Sequence, residues 1–477
     1  MSDDHSPAPL PQPGLLIAVT GGPGSNKTRL LAELAAGQLA RGQKVEGVLA
    51  VAGERRQPNQ GAEEYRLRIL GDAQDLRWAV RNENLSPPYY FEPDTERKLR
   101  TWADGLRTQP AVPLLVVDEF GKFEARGQGL MPLWPTLAAA APHIVVVAVR
   151  AEVIEQIERA IGRRFDLRVA ATAPDALEQL QRACEDFGEW TRIGLFGGAA
   201  GGLELTAGSV LHAAKIPLTG LVMSSLQGAM MVFAGSGLSQ PGRVVWVPFI
   251  SGGLKALSPA GNRLRPMLAI VLQGVLFGAA VQAFGWNLLS LALGGALIGA
   301  WAALQGFLLQ YLLMGDDLVH AYDALLKWVA LHLQLAAPSL PWLIGGWAVG
   351  HAVVAAAAAM AAWRLKQPPP ALQRIIDRET APGPAAAVRT GWRRLREFGQ
   401  WQFWLPLLIV ATILLASGRP WETVAWLVLR FVAVGGVLLA LVSLVRPARW
   451  AEQLRRRGWW GPALAFSGAL GRRTPVK

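Results

Sequence analysis

The sequence predicts an α/β domain with a parallel sheet over residues 14–190, followed by an all-α multi-spanning membrane domain. Three observations carry this. Short apolar runs alternate with helix-like stretches in the first part, and a glycine-rich turn joins the first run to the first helix. Beyond Trp190 the texture changes to long apolar stretches, in a chain of 477 residues that is 52% hydrophobic, high for a wholly soluble protein.

In chain order, Leu15 to Thr20 reads as a strand, the Gly-rich turn follows, and Lys27 to Leu39 has the composition of a helix. Val45 to Val51, Leu114 to Val117 and His143 to Val149 read as further buried parallel strands, with helices near Thr95 to Gly105 and Val153 to Ile161.

The clearest membrane stretches are Pro266 to Gly285, Asn287 to Met314, Leu340 to Trp363, Trp401 to Ala416 and Trp421 to Val445. Ile193 to Ala213 and Ile216 to Gly235 are spans with polar interruptions, and Val244 to Leu257 is a short, Gly-rich piece. Counting that piece gives six crossings before residue 366, the even number that keeps both the first domain and a basic segment cytoplasmic, but it puts Lys255, Arg263 and Arg265 near the outer face. The expected organisation is a six-helix unit at 191–365, a basic Pro-rich linker at 366–396, and a two-helix hairpin with a basic tail at 397–477. Trp246, Trp286, Trp342, Trp363, Trp401, Trp404 and Trp421 sit near span ends, as interfacial anchors do.

The net charge of +12 invites a nucleic-acid reading, which its distribution argues against. Residues 1–190 carry 22 Lys/Arg against 26 Asp/Glu, and of the 25 basic residues beyond, eight lie in 364–396 and eight in 446–477, flanking apolar stretches. That is the positive-inside pattern of an integral protein of the cytoplasmic membrane with its first domain and tail inside, not a nucleic-acid groove. A single cysteine, Cys184, excludes an intramolecular disulfide and offers no metal-site spacing. The Pro-rich, acidic stretch Met1 to Gly14 has no signal-peptide character.

Gly21, Gly22, Pro23, Gly24, Ser25, Asn26, Lys27 and Thr28 follow a strand and open a helix, the setting a Walker A loop requires. Backbone N–H groups and the helix N-terminus would cradle the phosphates of a nucleoside triphosphate such as ATP. Lys27 would reach the terminal phosphates, and the Thr28 hydroxyl would meet Mg²⁺. Asn26 replaces the usual glycine; asparagine tolerates positive φ, yet its side chain could crowd the nucleotide. Asp118 and Glu119 end a buried strand, where Asp118 would hold Mg²⁺ through water and Glu119 would orient or deprotonate the attacking water. Alone, two acids at a strand end are more often merely solvated; the glycine-rich loop gives the pair its meaning.

Asp118, Glu119, Gly121, Lys122 and Glu124, within DEFGKFE, resemble the DExGKxE signature of THEP-type nucleoside-triphosphatases, and Gly53-Glu54-Arg55-Arg56 with Gly61 resembles that family's second-strand region. The resemblance spans about residues 14–185 and implies Mg²⁺-dependent triphosphate hydrolysis with loose base choice. For Glu54, Arg55, Lys122 and Glu124, surface ion pairs near a strand end are an equal alternative.

In the membrane part, Gly194, Gly198 and Gly202, with Gly197 and Gly201, leave one helix face nearly bare, and Gly295/Gly299 and Gly346/Gly350 repeat the device. Internal packing explains such faces at least as well as docking of a partner. The polar residues Glu204, His212, Gln227, Gln273, Gln282, Asn287, Gln305, Gln310 and His351 interrupt apolar stretches. Gln227, Gln273, Asn287, Gln305 and His351 are the candidates for holding a neutral or zwitterionic organic molecule, although each could serve an interhelical hydrogen bond. Asp316, Asp317, His320 and Asp323 fit a helix after a span better than a metal site. The six helices, the Gly/Ala-rich first of them and the Ile216-Pro217-Leu218 turn resemble the S components of energy-coupling-factor vitamin transporters. That resemblance implies a vitamin-like ligand and a membrane coupling subunit as partner. Two functions compete: uptake of a small organic molecule linked to an NTP-binding domain, and a membrane-tethered nucleoside-triphosphatase or nucleotide sensor.

Overall fold

A parallel sheet covered on both faces needs apolar side chains pointing both ways, which is why its strands read as unbroken apolar runs. The computed structural model describes residues 14–51, 63–81, 89–109, 112–208, 218–255, 264–333, 339–380, 401–443 and 447–471. Strand β1 (Leu15–Gly21) sends Leu15, Ile17 and Val19 into one core and Leu16 and Ala18 into the other. The remaining strands are β2 (Val45–Val51), β3 (Glu63–Ile69), β4 (Leu76–Arg81), β5 (Tyr89–Phe91), β6 (Leu114–Phe120), β7 (Ile144–Arg150) and β8 (Leu167–Ala170). β7 alternates in the same way, with Val145, Val147 and Val149 opposite Ile144, Val146 and Ala148.

Helix α1 (Lys27–Ala40) and the first part of α5 (Ala176–Leu203) fill one core. Helices α2 (Pro93–Arg107), α3 (Trp134–Ala139) and α4 (Ile154–Ile161) fill the other. The eight strands run in the order β5-β4-β3-β2-β6-β7-β1-β8. The sheet is mixed, not purely parallel. β2, β6, β7, β1 and β8 pair parallel, while β3, β4 and β5 extend it antiparallel from β2. In β3, buried Leu67 and Ile69 alternate with Arg66 and Arg68, which pair with Glu64 and Asp75, so this edge faces water on one side.

The chain divides into two compact units: residues up to Gly188 together with Arg455–Leu464, and Glu189–Leu454 together with the residues from Ala465. Within the first, Arg455 Nε lies 2.6 Å from Asp166 Oδ1. The other Asp166 oxygen accepts the Leu16 N–H of β1 at 2.9 Å and an Arg163 N–H at 2.5 Å. Trp460 packs against the core formed by β1, α1 and α5. Arg455, which the sequence places in a basic tail, is thus an ion-pair partner of a buried carboxylate.

The second unit is helical. It comprises α6 (Thr219–Gly235), α7 (Trp246–Lys255), α8 (Leu264–Phe284), α9 (Leu288–Met314), α10 (Asp316–Leu333), α11 (Leu340–Leu365), α12 (Pro370–Thr380), α13 (Trp401–Ala416) and α14 (Trp421–Ser443), together with the start of α15 (Pro447–Arg456) and the end of α16 (Trp460–Gly471). Among the described residues, three helices, Pro266–Phe284, Leu288–Met314 and Leu340–Leu365, are long and apolar enough to cross a membrane. α7 has 10 residues, about 15 Å of helix against a hydrocarbon core of about 30 Å, so it does not cross alone. The linker expected from 366 carries a helix, α12, which opens at the last of three consecutive prolines, where a missing N–H costs nothing. Asp316 and Asp317 occupy the first turn of α10, as the helix dipole favours.

Two of the three glycine faces are filled from within. A Cβ on Gly197 would come within 2.8 Å of Ile250, one on Gly201 within 2.7 Å of Leu254, and one on Gly194 within 2.7 Å of the Ala465 carbonyl. Gly295 and Gly299 let α9 meet α11, with a Gly299 Cβ only 2.2 Å from the His351 carbonyl. Gly346 and Gly350 face open space. Replacing Gly299 with Val should therefore cost about 1–3 kcal/mol or more through overpacking. Gly350→Ala should leave stability unchanged or slightly raised, and thermal unfolding of the detergent-purified chain measures both.

Candidate functional site

The loop between β1 and α1 is shaped by a few backbone choices. Gly24 takes φ 75° and Asn26, at the N-cap of α1, takes φ 61° and ψ 25°. Asparagine is among the side chains that accept this left-handed region most readily, so the departure from glycine leaves the loop conformation intact. A Cβ on Gly21 would strike Ser25 Oγ at 2.1 Å, whereas Gly22 and Gly24 border open space. Lys27 folds over the loop, its Nζ donating to the carbonyls of Gly22 at 2.7 Å and Gly21 at 3.1 Å and to Ser25 Oγ at 3.2 Å.

The acids reach the same edge through a β-bulge. The β6–β7 ladder is regular to Val117↔Val147 and resumes at Phe120↔Val149, so Asp118 and Glu119 together face one residue of β7. Glu119 adopts φ 68°, unusual for a non-glycine side chain and a kind of local strain that concentrates at functional sites. Asp118 is buried, its carboxylate accepts the N–H groups of Glu119 at 2.8 Å and Ala50 at 3.2 Å, and the Thr28 side chain lies near it. Burial pushes Asp118 up from the ordinary carboxylate range, against the pull of those donors and of Lys27. Glu119 is raised first by the protein around it and then by the Asp118 charge, although its side chain reaches solvent. Lys27 is lowered by burial and further by Arg150, while Glu119 and Asp118 oppose that shift.

Glu124 is buried and accepts the N–H groups of Gly121 at 2.8 Å and Leu130 at 3.1 Å, holding the segment after β6 in shape. Lys122 makes an exposed ion pair with Glu152 at 3.4 Å, as the surface alternative anticipates. Gly53, Glu54, Arg55, Arg56 and Gly61 lie outside the described residues, as does His212. Arg150, at the end of β7, escapes the sequence reading altogether; it stands beside Gly21 in the β1–β7 register. Cys184 lies in the core with its thiol pushed up to about 11 by burial, which leaves it unreactive.

A donor set of one lysine, loop N–H groups, one hydroxyl and one buried carboxylate fits a nucleoside triphosphate with Mg²⁺. That ion keeps most of its shell from water and phosphate and needs few protein ligands. Among the described residues, no group of three His, Cys, Asp or Glu could hold a metal by itself.

The membrane candidates are spread over several helices. Gln227 on α6, Gln273 on α8 and His351 on α11 are buried, and Gln305 on α9 is half-buried. Asn287 is spent as a cap: its side chain accepts the Ser290 N–H at 3.0 Å and donates to the Phe284 carbonyl at 2.6 Å. His351 bonds the Trp347 carbonyl through Nδ1 at 3.0 Å. Gln227 Nε2, Ser251 Oγ and Trp301 Nε1 are buried without a hydrogen-bond partner among the described residues. Lys255 is buried too, its ammonium donating to the Glu204 carbonyl at 2.7 Å and lying 3.6 Å from that residue's carboxylate. Its charge is thus answered within the helices; Arg263 and the Arg265 side chain fall outside the description.

Two outcomes follow for the loop and the acids. Asn26→Gly should retain nucleotide affinity, while Asn26→Val, disfavoured at positive φ, should lose it by tenfold or more in calorimetric titration. A carboxylate raised in the folded state contributes stability when protonated and loses it as pH rises from its unfolded value near 4 through the folded one. The metal-free protein should therefore lose more stability between pH 5 and 7.5 than its Glu119→Gln variant, as thermal unfolding at the two pH values would show.

Among known proteins, a family described as Protein of unknown function (DUF2478) matches residues 16–173, a stretch that runs from β1 past β8 and holds the loop, both acids and Arg150. No curated protein matches the chain, and no solved structure does.

Proposed function

We propose that the chain is a membrane-embedded nucleoside-triphosphatase of the THEP-like kind, whose multi-spanning part takes up a small organic molecule. The observation that supports hydrolysis is the convergence of Lys27, Thr28, Asp118 and Glu119 on one sheet edge, where Thr28 and Lys27 both act on the buried Asp118 carboxylate. The loop N–H groups and Lys27 bind and orient the triphosphate. Thr28 and Asp118 would hold Mg²⁺, which supplies charge neutralisation on the phosphates. Glu119, raised above an ordinary carboxylate and open to solvent, takes a proton from water as the water oxygen bonds to the γ-phosphorus. The bond from that phosphorus to the β-phosphate oxygen breaks, giving nucleoside diphosphate and inorganic phosphate.

Uptake is supported by Gln227 Nε2, Ser251 Oγ and Trp301 Nε1, buried donors that cost stability unless something accepts from them. The alternative, helices that only anchor a nucleotide sensor, is favoured by the capping role of Asn287 and the internally filled glycine faces.

Phosphate release by the full chain in lipid nanodiscs, with Mg²⁺ and each common nucleoside triphosphate, tests the first part. Turnover should vanish in Lys27→Ala along with binding, and fall at least a hundredfold in Glu119→Gln with binding kept. Binding without turnover in the unaltered protein would favour the sensor reading, and no binding would end both.

A further inference from the structure

The structure assigns Arg150 as the cation that reads the terminal phosphate, so that the site takes triphosphates in preference to diphosphates; this rests on the nucleotide site proposed above. β1 and β7 are neighbours, and Gly21 and Arg150 face each other at the ends of their ladder. From there the chain leaves in opposite directions: α1 packs into one core with Leu30, Leu31 and Leu34, and α4 into the other with Ile154 and Ile157. Divergence of this kind opens a crevice at the carboxyl ends of the strands, where open α/β sheets hold their ligands. Lys27 approaches that crevice from the loop and Arg150 from the next strand, between the loop and the Asp118–Glu119 bulge on β6.

Arg150 is half-buried, and among the described residues no carboxylate closes on it as a salt bridge, although Lys27, Glu119 and Glu124 all feel its charge. Room for it is built in: a Cβ on Gly121 would lie 3.4 Å from Arg150 Nε, so a side chain after the bulge would press on the guanidinium. A planar fork with spare donors suits two oxygens of one phosphoryl group better than a single ammonium does. The loop and Lys27 suffice for phosphates common to both nucleotides. What the third phosphate adds is charge, and as water attacks that charge spreads over its outer oxygens, where a fixed cation is worth most.

The test uses the full chain in nanodiscs with Mg²⁺, measuring binding of a non-hydrolysable ATP analogue, binding of ADP, and phosphate release from ATP. Arg150→Gln should weaken the analogue by tenfold or more, leave ADP within about twofold, and cut kcat by about a hundredfold. Arg150→Lys should recover part of both losses, and guanidinium added to Arg150→Ala should raise turnover. Equal weakening of both nucleotides, or no change in either, would overturn the assignment. Should the Gln variant not fold, the Lys variant, which keeps charge and loses the fork, gives the same comparison. If the unaltered protein binds neither nucleotide, or Lys27→Ala binds both as well as it does, the nucleotide site itself is wrong and the assignment falls with it; loss in Lys27→Ala with Arg150→Gln unaffected removes the assignment alone.

Discussion

The meeting of Thr28, at the start of α1, with the buried Asp118 carboxylate, at the end of β6, is the constraint on which the rest of the first unit turns. It joins the start of α1 to the end of β6 across β7, two places separated by ninety residues of chain and one strand of sheet. For it to form, β6 must bulge so that Asp118 turns inward while Glu119 stays open, and the loop must close tightly enough to start α1 at Lys27. The buried carboxylate carries a desolvation cost, offset in part by two backbone N–H groups. A divalent cation bound there would relieve that cost, and ligand affinity and local stability would then be linked.

What the sequence makes legible follows from how local each feature is. The loop and the acidic pair are short motifs beside apolar runs, and Asn26 at positive φ could be foreseen from its side chain alone. Arg150 could not, because a strand-terminal arginine gains meaning only when the strand order puts it between the loop and the bulge. β3 is legible in principle, since Tyr65, Leu67 and Ile69 alternate with charged residues in the period of a half-exposed strand, but that period does not fit a wholly parallel sheet. Asn287 carried the spacing of a cap, with Ser290 three residues on, and reading it only as an intramembrane amide overlooked that cheaper use.

In the helical unit, packing and polarity pull apart. Glycines let backbones close to within contact of neighbouring carbonyls, as at Gly299 against His351, and such contacts fix helix positions without polar bonds. The buried polar groups are of two kinds. Lys255 and Glu204 answer each other beside the π-turn Glu204–Gly208, a distortion of helix that often accompanies function. Gln227, Ser251 and Trp301 each keep a buried donor without a partner among the described residues, a cost that close packing does not offset.

The Arg455 ion pair and the Trp460 contact give the first unit a component from the far end of the chain. During synthesis the strands and the loop emerge first, then every apolar helix of the second unit, and only afterwards the segment that closes on Asp166. The first unit therefore gains its last contacts after the helices of the second have been translated, and until then Arg163 is the guanidinium partner of the Asp166 carboxylate among the described residues. A ribosome stalled before residue 455 would carry the strands and loop of the first unit without the Arg455 ion pair to Asp166 and without the Trp460 contact, so the earliest part of the chain waits on its far end for both.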